Sequence, residues 1–326
     1  MGTENGDCHS VVLGLDFGAT NLKALLVDKN GQSHHRFIEP SSIEEGHQAT
    51  LQRIVRLVKL ALQKAQSKNL QMKGIGVGVC GPVNYHKGEI VESPVLPGWK
   101  NTPVIRAIQE ATNLRVMLDN DANLAVLGEW WRGAGKGHGV IAGLTIGTGI
   151  GGGLVIDGRV YRGGSGFGAE FGHIQVAEEP SCLCGGKGCL GQVASVSATI
   201  LRYRRLASRD SPPVDGLMNL AEEASQGNPT AAKAIEASAG YLAKGVLILV
   251  NCLNPDVFVI CGGMSLLGDS LLKPVRKAVR RSTFETTGKN IQIVTGSLGL
   301  YSGCMGAARL AWSGVRALPE KECGLG

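Results

Sequence analysis

The stretch VVLGLDFGATNLKALLV, residues 11–27, sets two apolar runs on either side of a short polar turn. Val11 to Leu15 and Ala24 to Val27 read as strands, and Asp16 to Asn21 is the loop between them. The turn Lys29-Asn30-Gly31 then leads to a third extended piece around Ser33 to Ile38, so the chain opens as a β-meander with a polar loop at its mouth. The same grammar returns in VIAGLTIGTGIGGGLVI, residues 140–156. There Val140 to Ile146 reads as a strand, Gly147 to Gly153 as a glycine loop and Leu154 to Ile156 as the returning strand, with Asp157-Gly158 as a hairpin turn. A strand, a glycine turn and a strand, met twice, imply two similar α/β lobes with a cleft between them.

The intervening sequence fits that plan. Leu51, Ile54, Val55, Leu57, Val58, Leu60, Ala61 and Leu62 make an amphipathic helix within residues 43–68. A buried strand, GIGVGVC, runs from Gly74 to Cys80; a short helix starts at Pro103, and Arg115 to Leu118 is a further strand. Later come a long helix from about Pro229 to Leu253, a strand from Val257 to Cys261, the turn Gly262-Gly263 and a helix from about Leu266 to Arg281.

With 326 residues, 43% hydrophobic and 18% charged, the chain is long enough for two cores and too apolar for disorder. Its 48 glycines follow no period, which excludes collagen. The net charge of +6 is spread out, and the densest basic stretches (Arg202, Arg204, Arg205 and Lys273, Arg276, Lys277, Arg280, Arg281) fall at helical spacing. They read as solvated helix faces, not a nucleic-acid surface. No leader-like segment opens the chain and no apolar run reaches membrane-span length, the longest being Gly245 to Leu253. The nine cysteines are therefore expected as thiols or metal ligands in a cytoplasmic protein.

Four segments carry chemistry. In Asp16 to Asn21, small residues let backbone N–H groups approach an anion, Asp16 can hold Mg²⁺ through water, and Thr20 adds a hydroxyl. No GxxxxGK[ST] occurs, and Lys23 reads as a strand-edge residue. Gly147 to Gly153 reads as a second phosphate contact. Asp121, in Asp119-Asn120-Asp121-Ala122-Asn123, is either the cap of the helix that follows or a general base for a sugar hydroxyl; two phosphate loops around it favour the base. Finally, Cys182, Cys184 and Cys189, wound by glycines, can place three thiolates on one tetrahedral zinc ion, with His173 as fourth ligand. Cys8, Cys80, Cys252, Cys261, Cys304 and Cys323 read as needing no chemistry.

Taken together these residues resemble the ROK family of sugar kinases and repressors, from about residue 11 to residue 313. The family's DxGxTN is similar to Asp16–Asn21, its NDAN to Asn120–Asn123, its GTGxGGG to Gly147–Gly153, its ExGH to Glu170–His173 and its CxCGxxGC to Cys182–Cys189. The resemblance implies an actin-like (ribonuclease H-like) fold of two lobes that close over ATP and sugar. The expected lobes are residues 1–118, completed by a helix at about 303–318, and residues 119–302. It implies Asp121 as base; Gly81, Asn120, Glu170 and His173 near the sugar; Asp16, Gly18, Thr20, Asn21, Thr148, Gly149, Gly262 and Gly263 near Mg-ATP; and zinc on His173, Cys182, Cys184 and Cys189. A homodimer or larger homo-oligomer is common in the family.

Two departures bear on the substrate. The family's zinc motif usually continues as Cys-x-Glu, and here that position is Gly191; a loop often reading S-x-N-L-P-G-W has Val95 in place of its asparagine. Both missing groups would hydrogen-bond sugar hydroxyls. The expected function is thus a glucokinase-like ATP:hexose phosphotransferase. Kinases for N-acetylmannosamine, fructose or allose, a polyphosphate donor and a silent sugar-binding protein stay as alternatives. A DNA-binding regulator is disfavoured, since only fifteen residues precede Asp16.

Overall fold

In the computed structural model, Ser10–Phe17 forms β1, buried along its whole length as the central strand of a five-stranded sheet. The structure describes residues 9–92, 96, 98–209, 211–283 and 291–316. The antiparallel strands Asn21–Asp28 (β2) and Ser33–Pro40 (β3) follow β1 as the meander read from the sequence. On the other side of β1 lies Gln71–Val79 (β4), in parallel. The helix His47–Ser67 (α1) connects the two halves, burying Ile54, Leu57, Val58, Ala61 and Ala65.

Three short strands, Val83–Asn84 (β5), Glu89–Glu92 (β6) and Lys100–Thr102 (β7), form a small antiparallel sheet that the sequence reading did not anticipate. Val104–Thr112 (α2) then leads to Val116–Asn120 (β8), so the first sheet has the order β3-β2-β1-β4-β8. Asp121–Arg132 (α3) follows directly.

The second sheet repeats this order. Val140–Ile146 (β9), Ile150–Ile156 (β10) and Arg159–Val160 (β11) form its meander, with positive φ at Asp157 and Gly158 in the hairpin turn. After the helices Leu190–Ala194 (α4), Val196–Leu206 (α5), Leu217–Ser225 (α6) and Pro229–Leu253 (α7) come the parallel strand Val257–Cys261 (β12), the helix Asp269–Ser282 (α8) and Gln292–Thr295 (β13). The order is β11-β10-β9-β12-β13, so the doubled grammar of the sequence is a doubled topology.

α7 has the length and apolar composition of a membrane span. Ala239, Leu242, Val246 and Val250 nonetheless lie in the apolar core of the second sheet, as expected of a core helix. The last described helix, Ser302–Arg316 (α9), packs on β1, β4 and α3.

The chain divides into two compact units: Met1–Arg132 with Gly164–Phe167 and Tyr301–Gly326, and Gly133–Gly163 with Gly168–Leu300. The expected boundary at residue 118 would cut β8 and send α3 to the second lobe; here α3 stays with the first unit, packed against α9. Gly14 and Gly76 are register partners on β1 and β4, and a methyl group on either would run into the α9 backbone at Cys304 or Ala307. On α9 itself, Gly306 lies against the Leu124 carbonyl of α3. Backbone cannot rotate aside as a side chain can. Gly306→Ala is therefore expected to lower the unfolding free energy by about 1–3 kcal/mol, read as a lower denaturant midpoint; an unshifted midpoint would mean that the two helices part freely.

Candidate functional site

The C-terminal ends of β1, β4 and β8 lie side by side, and open α/β sheets bind ligands at such strand ends. Asp16 is the penultimate residue of β1, and the loop after it is short: the Gly18 N–H donates to the Asn21 carbonyl at 3.1 Å. Buried Ser41 pins this loop, its hydroxyl donating to the Gly18 carbonyl at 2.5 Å and its N–H to the Thr20 carbonyl at 3.0 Å. Ala19 and Thr20 are left exposed.

At the end of β8 the start of α3 is closed mainly by the residue before Asp121. Asn120 does the capping: its Oδ1 accepts from the N–H groups of Ala122 at 2.9 Å and Asn123 at 3.2 Å, and its Nδ2 donates to the Gly81 carbonyl at 3.1 Å. Beneath it, buried Asp119 accepts from Asn120 N–H at 2.8 Å and Asn123 Nδ2 at 3.1 Å. Asp121 is the first residue of α3, and its carboxylate accepts the Ala122 N–H at 2.9 Å.

Asp121 keeps partial solvent access yet is surrounded by protein. Desolvation, then repulsion from the Asp16 carboxylate, push its pKa up to about 7 from the ordinary 3.8. Asp16 itself is ion-paired with Lys23, its register partner on β2, at 2.7 Å. Burial alone would lower the Lys23 pKa; the Asp16 carboxylate reverses that and holds it above the ordinary value. The N-terminal turn of α9 backs this pair: a methyl group on Gly303 would stand 3.0 Å from the Asp16 carboxyl carbon. Two thiols border the carboxylates, Cys80 and Cys304. Burial first, and then Asp121 and Asp16 at Cys80 and Asp16 at Cys304, raise the two pKa values, so both stay neutral S–H groups.

In the second unit, Thr148 and Gly149 are exposed in a tight turn closed by Gly147 N–H on the Gly149 carbonyl at 2.9 Å. The glycine run is shorter as a loop than its sequence implied. Gly151, Gly152 and Gly153 belong to β10, paired with Thr145, Leu144 and Gly143. Gly152 is needed there for packing, since a side chain would strike the Ala169 carbonyl and Phe171. Gly262, at φ +82°, follows β12 and leans on the backbone of Ile146, and Gly263 opens the 3-10 turn that follows. The fold thus gathers Thr148, Gly149, Gly262 and Gly263 at the ends of two adjacent parallel strands.

Beside β10, the 3-10 turn Phe171–His173 lies flat on Ile150 because Gly172 has no side chain, and this turn carries exposed Glu170 and His173. His173 Nδ1 is 3.5 Å from Cys182 Sγ, and Cys184 Sγ is 3.6 Å from Cys189 Sγ. All four donor atoms lie within 4.8 Å of one another. A tetrahedral zinc ion, with Zn–S of about 2.3 Å and Zn–N of about 2.0–2.1 Å, needs edges of about 3.8 Å between sulfurs and about 3.6 Å from nitrogen to sulfur. The donor set fits. The loop is built to hold that shape: Cys182 N–H donates to Gly186, Gly188 N–H to Pro180 and Val176 N–H to Gly188, and Gln192 Nε2 reaches Cys182 Sγ at 3.8 Å.

Every sequence-derived candidate among the described residues thus falls into one of three groups: the strand ends of the first sheet, the glycine turns of the second, and the Cys/His loop. Val95 lies outside the described residues, as do Cys8, Cys323 and the chain beyond Arg316. Lys23, Ser41, Asp119, Cys80 and Cys304 were not recognised as parts of the site. Only the strand-end position of Cys80, just before Gly81, was a visible signal. Arg202 also departs from the solvated face expected of it, since its guanidinium donates to Ser238 Oγ at 2.5 Å and to the Val193 carbonyl at 2.6 Å.

The family model described as ROK family matches residues 12–313. The glucokinase of Thermotoga maritima is 32% identical over 311 residues, covering 92% of this chain and 96% of that protein. The crystal structure of a ROK family glucokinase from Streptomyces griseus in complex with glucose and AMPPNP superposes with a TM-score of 0.79 at 30% identity, covering 93% of this chain and 99% of that one. A xylose repressor of Caldicellulosiruptor bescii is 28% identical, covering 97% of this chain and 81% of the repressor. The fold is the actin-like ATPase fold of these structural neighbours.

Proposed function

This chain belongs to the ROK family, and on that premise we propose that it is an ATP-dependent hexose kinase, a glucokinase that transfers the γ-phosphoryl group of ATP to the sugar 6-hydroxyl. The observation that carries the reading is Asp121: relieved of capping by Asn120, its carboxylate has a pKa of about 7, matched to proton transfer near neutrality. As the hydroxyl oxygen attacks the γ-phosphorus, Asp121 takes its proton, the bond to the β,γ-bridging oxygen breaks, and ADP leaves with that electron pair. Asp16 would hold Mg²⁺, which would neutralise charge on the phosphates, and Lys23, 2.7 Å away, fixes the position of its carboxylate. Gly18, Thr20, Asn21, Thr148 and Gly149 offer N–H and hydroxyl groups to the phosphates, and Gly262 and Gly263 let the nucleotide approach closely.

Gly81, Asn120, Glu170 and His173 contact the sugar. Zinc on His173, Cys182, Cys184 and Cys189 would supply a fixed positive centre that locks the loop. The His173 Nδ1 faces Cys182, so its Nε2 is the nitrogen offered to a sugar hydroxyl.

ADP release with Mg-ATP is the test, run against glucose, mannose, fructose, allose, N-acetylglucosamine and N-acetylmannosamine. Turnover with glucose foremost is expected; no turnover with any of them would move the reading to a sugar-binding protein, the sense in which the repressor relatives are similar. A preference for another sugar is the second reading, and Gly191 is the observation that favours it. A methyl group built on Gly191 would stand 3.4 Å from the Gly172 carbonyl and 3.7 Å from Ile150 N, in ordinary contact, so a side chain fits where none is present. Gly191→Glu is expected to tighten glucose binding about tenfold, the worth of one charge-assisted hydrogen bond. Unchanged or weaker binding in a titration would mean a pocket shaped for a different sugar.

A further inference from the structure

Away from these groups, a cavity of about 280 Å³ lies between α8 and the edge strand β13, lined by Arg276, Val279, Arg280, Ile291, Gln292, Ile293 and Val294. It sits toward the start of β13, whereas the glycine turns follow the ends of β9 and β12, so the two lie at opposite ends of one parallel ladder. Arg276 and Arg280 are one helical turn apart and both face the cavity. Arg276 is fixed: its Nε donates to the Ile293 carbonyl at 2.8 Å, and its Nη1 is 3.5 Å from Asp269 Oδ1. That carboxylate is shared with Lys273 at 3.2 Å. Arg280 makes no ion pair or hydrogen bond among the described residues. Its charge faces the cavity with no described carboxylate paired to it.

The strand edge adds a donor. The ladder bonds of β13 run through alternate residues, since Gln292 N–H donates to Asp256 and Gly296 N–H to Ile260. Ile293 therefore turns its backbone to the open edge, as the bond from Arg276 to its carbonyl requires, and its N–H points the same way. The Arg280 guanidinium, the remaining N–H groups of Arg276 and the edge N–H of Ile293 lie on this polar side, while half-buried Ile291 and Val294 add a smaller apolar surface. A planar guanidinium fork matches phosphate oxygens bidentately, and the side chains of Ile291 and Val294 beside it can meet an organic group that a bare ion lacks. The volume admits a small molecule and no more.

We propose that this cavity is a binding site for a small organic phosphate monoester, distinct from the sugar and nucleotide groups, with Arg280 as its principal anchor. The test is calorimetric titration of the whole chain with phenyl phosphate, with inorganic phosphate and phenol as controls, in the presence of saturating glucose and AMPPNP. Phenyl phosphate is expected to bind with a dissociation constant below about 1 mM, and more tightly than either control. Arg280→Ala is expected to weaken it at least about tenfold, and Arg280→Lys, which keeps the charge and loses the fork, by an intermediate factor. The melting temperature of both variants should match the parent, since no described partner is lost. No binding to the parent, equal binding in Arg280→Ala, or binding abolished by AMPPNP would each overturn the proposal.

Discussion

Asp121→Asn is expected to phosphorylate sugar about 10²–10⁴-fold more slowly than the parent, the usual worth of a general base, while folding at least as well. The second half of that expectation comes from the electrostatics. A carboxyl group whose pKa rises on folding from 3.8 to about 7 is bound to its proton more tightly in the folded chain. Its contribution to stability is complete below pH 3.8 and is lost as pH climbs towards 7. At neutral pH an ionised Asp121 beside Asp16 is a strain that the amide removes. The variant should therefore melt at or above the parent temperature at pH 7.5 and show no such gain at pH 4. The parent rate at low sugar concentration should fall on the acid side, with a limb centred at or below about 7 because bound Mg²⁺ stabilises the carboxylate; the residual rate of Asp121→Asn should lack that limb. Normal turnover in a folded Asp121→Asn would remove the base assignment.

Cys184→Ser is the second large effect expected. The parent should carry one zinc ion per chain by elemental analysis, and the variant should lose it. The donors stand at edge lengths that suit zinc, so three remaining ligands would leave an open coordination position instead of a closed site. Because His173 belongs both to this set and to the proposed sugar contacts, sugar affinity should fall about tenfold or more with the metal. Chelator treatment of the parent should do the same, and added zinc should restore binding in the parent alone. Freshly purified protein without metal, or full sugar affinity after zinc removal, would separate the loop from the sugar site.

The doubled topology was legible because a strand–glycine turn–strand pattern depends on local backbone demands, and those leave marks in a single sequence. What the second glycine run was for was only half legible. Residues 147–149 do form a turn, but Gly151 to Gly153 are strand residues, and Gly152 answers to Phe171, far along the chain. A glycine demanded by a distant neighbour looks the same in sequence as one demanded by an anion. The same limit hid the small sheet β5-β6-β7, whose strands of two to four residues are too short to show a period. It also hid Arg202, which looked like part of a basic helix face until Ser238 and Val193 were placed beside it. Helical spacing tells which residues share a face and not what that face meets. The Cys/His loop was fully legible, since its four donors lie within seventeen residues and the glycines between them restrict how they fold back.

Asn120 leaves one further mark on the molecule. Since it closes the start of α3 with its own amide, the Asp121 carboxylate adds only the Ala122 N–H bond there, and a substitution at Asp121 is expected to leave the helix start closed. Ancestry then becomes easier to understand. On the proposed mechanism, a lineage could lose catalysis by a single codon change at Asp121 and keep the fold. Descendants that act and descendants that only sense would diverge from one another across a barrier of one side chain.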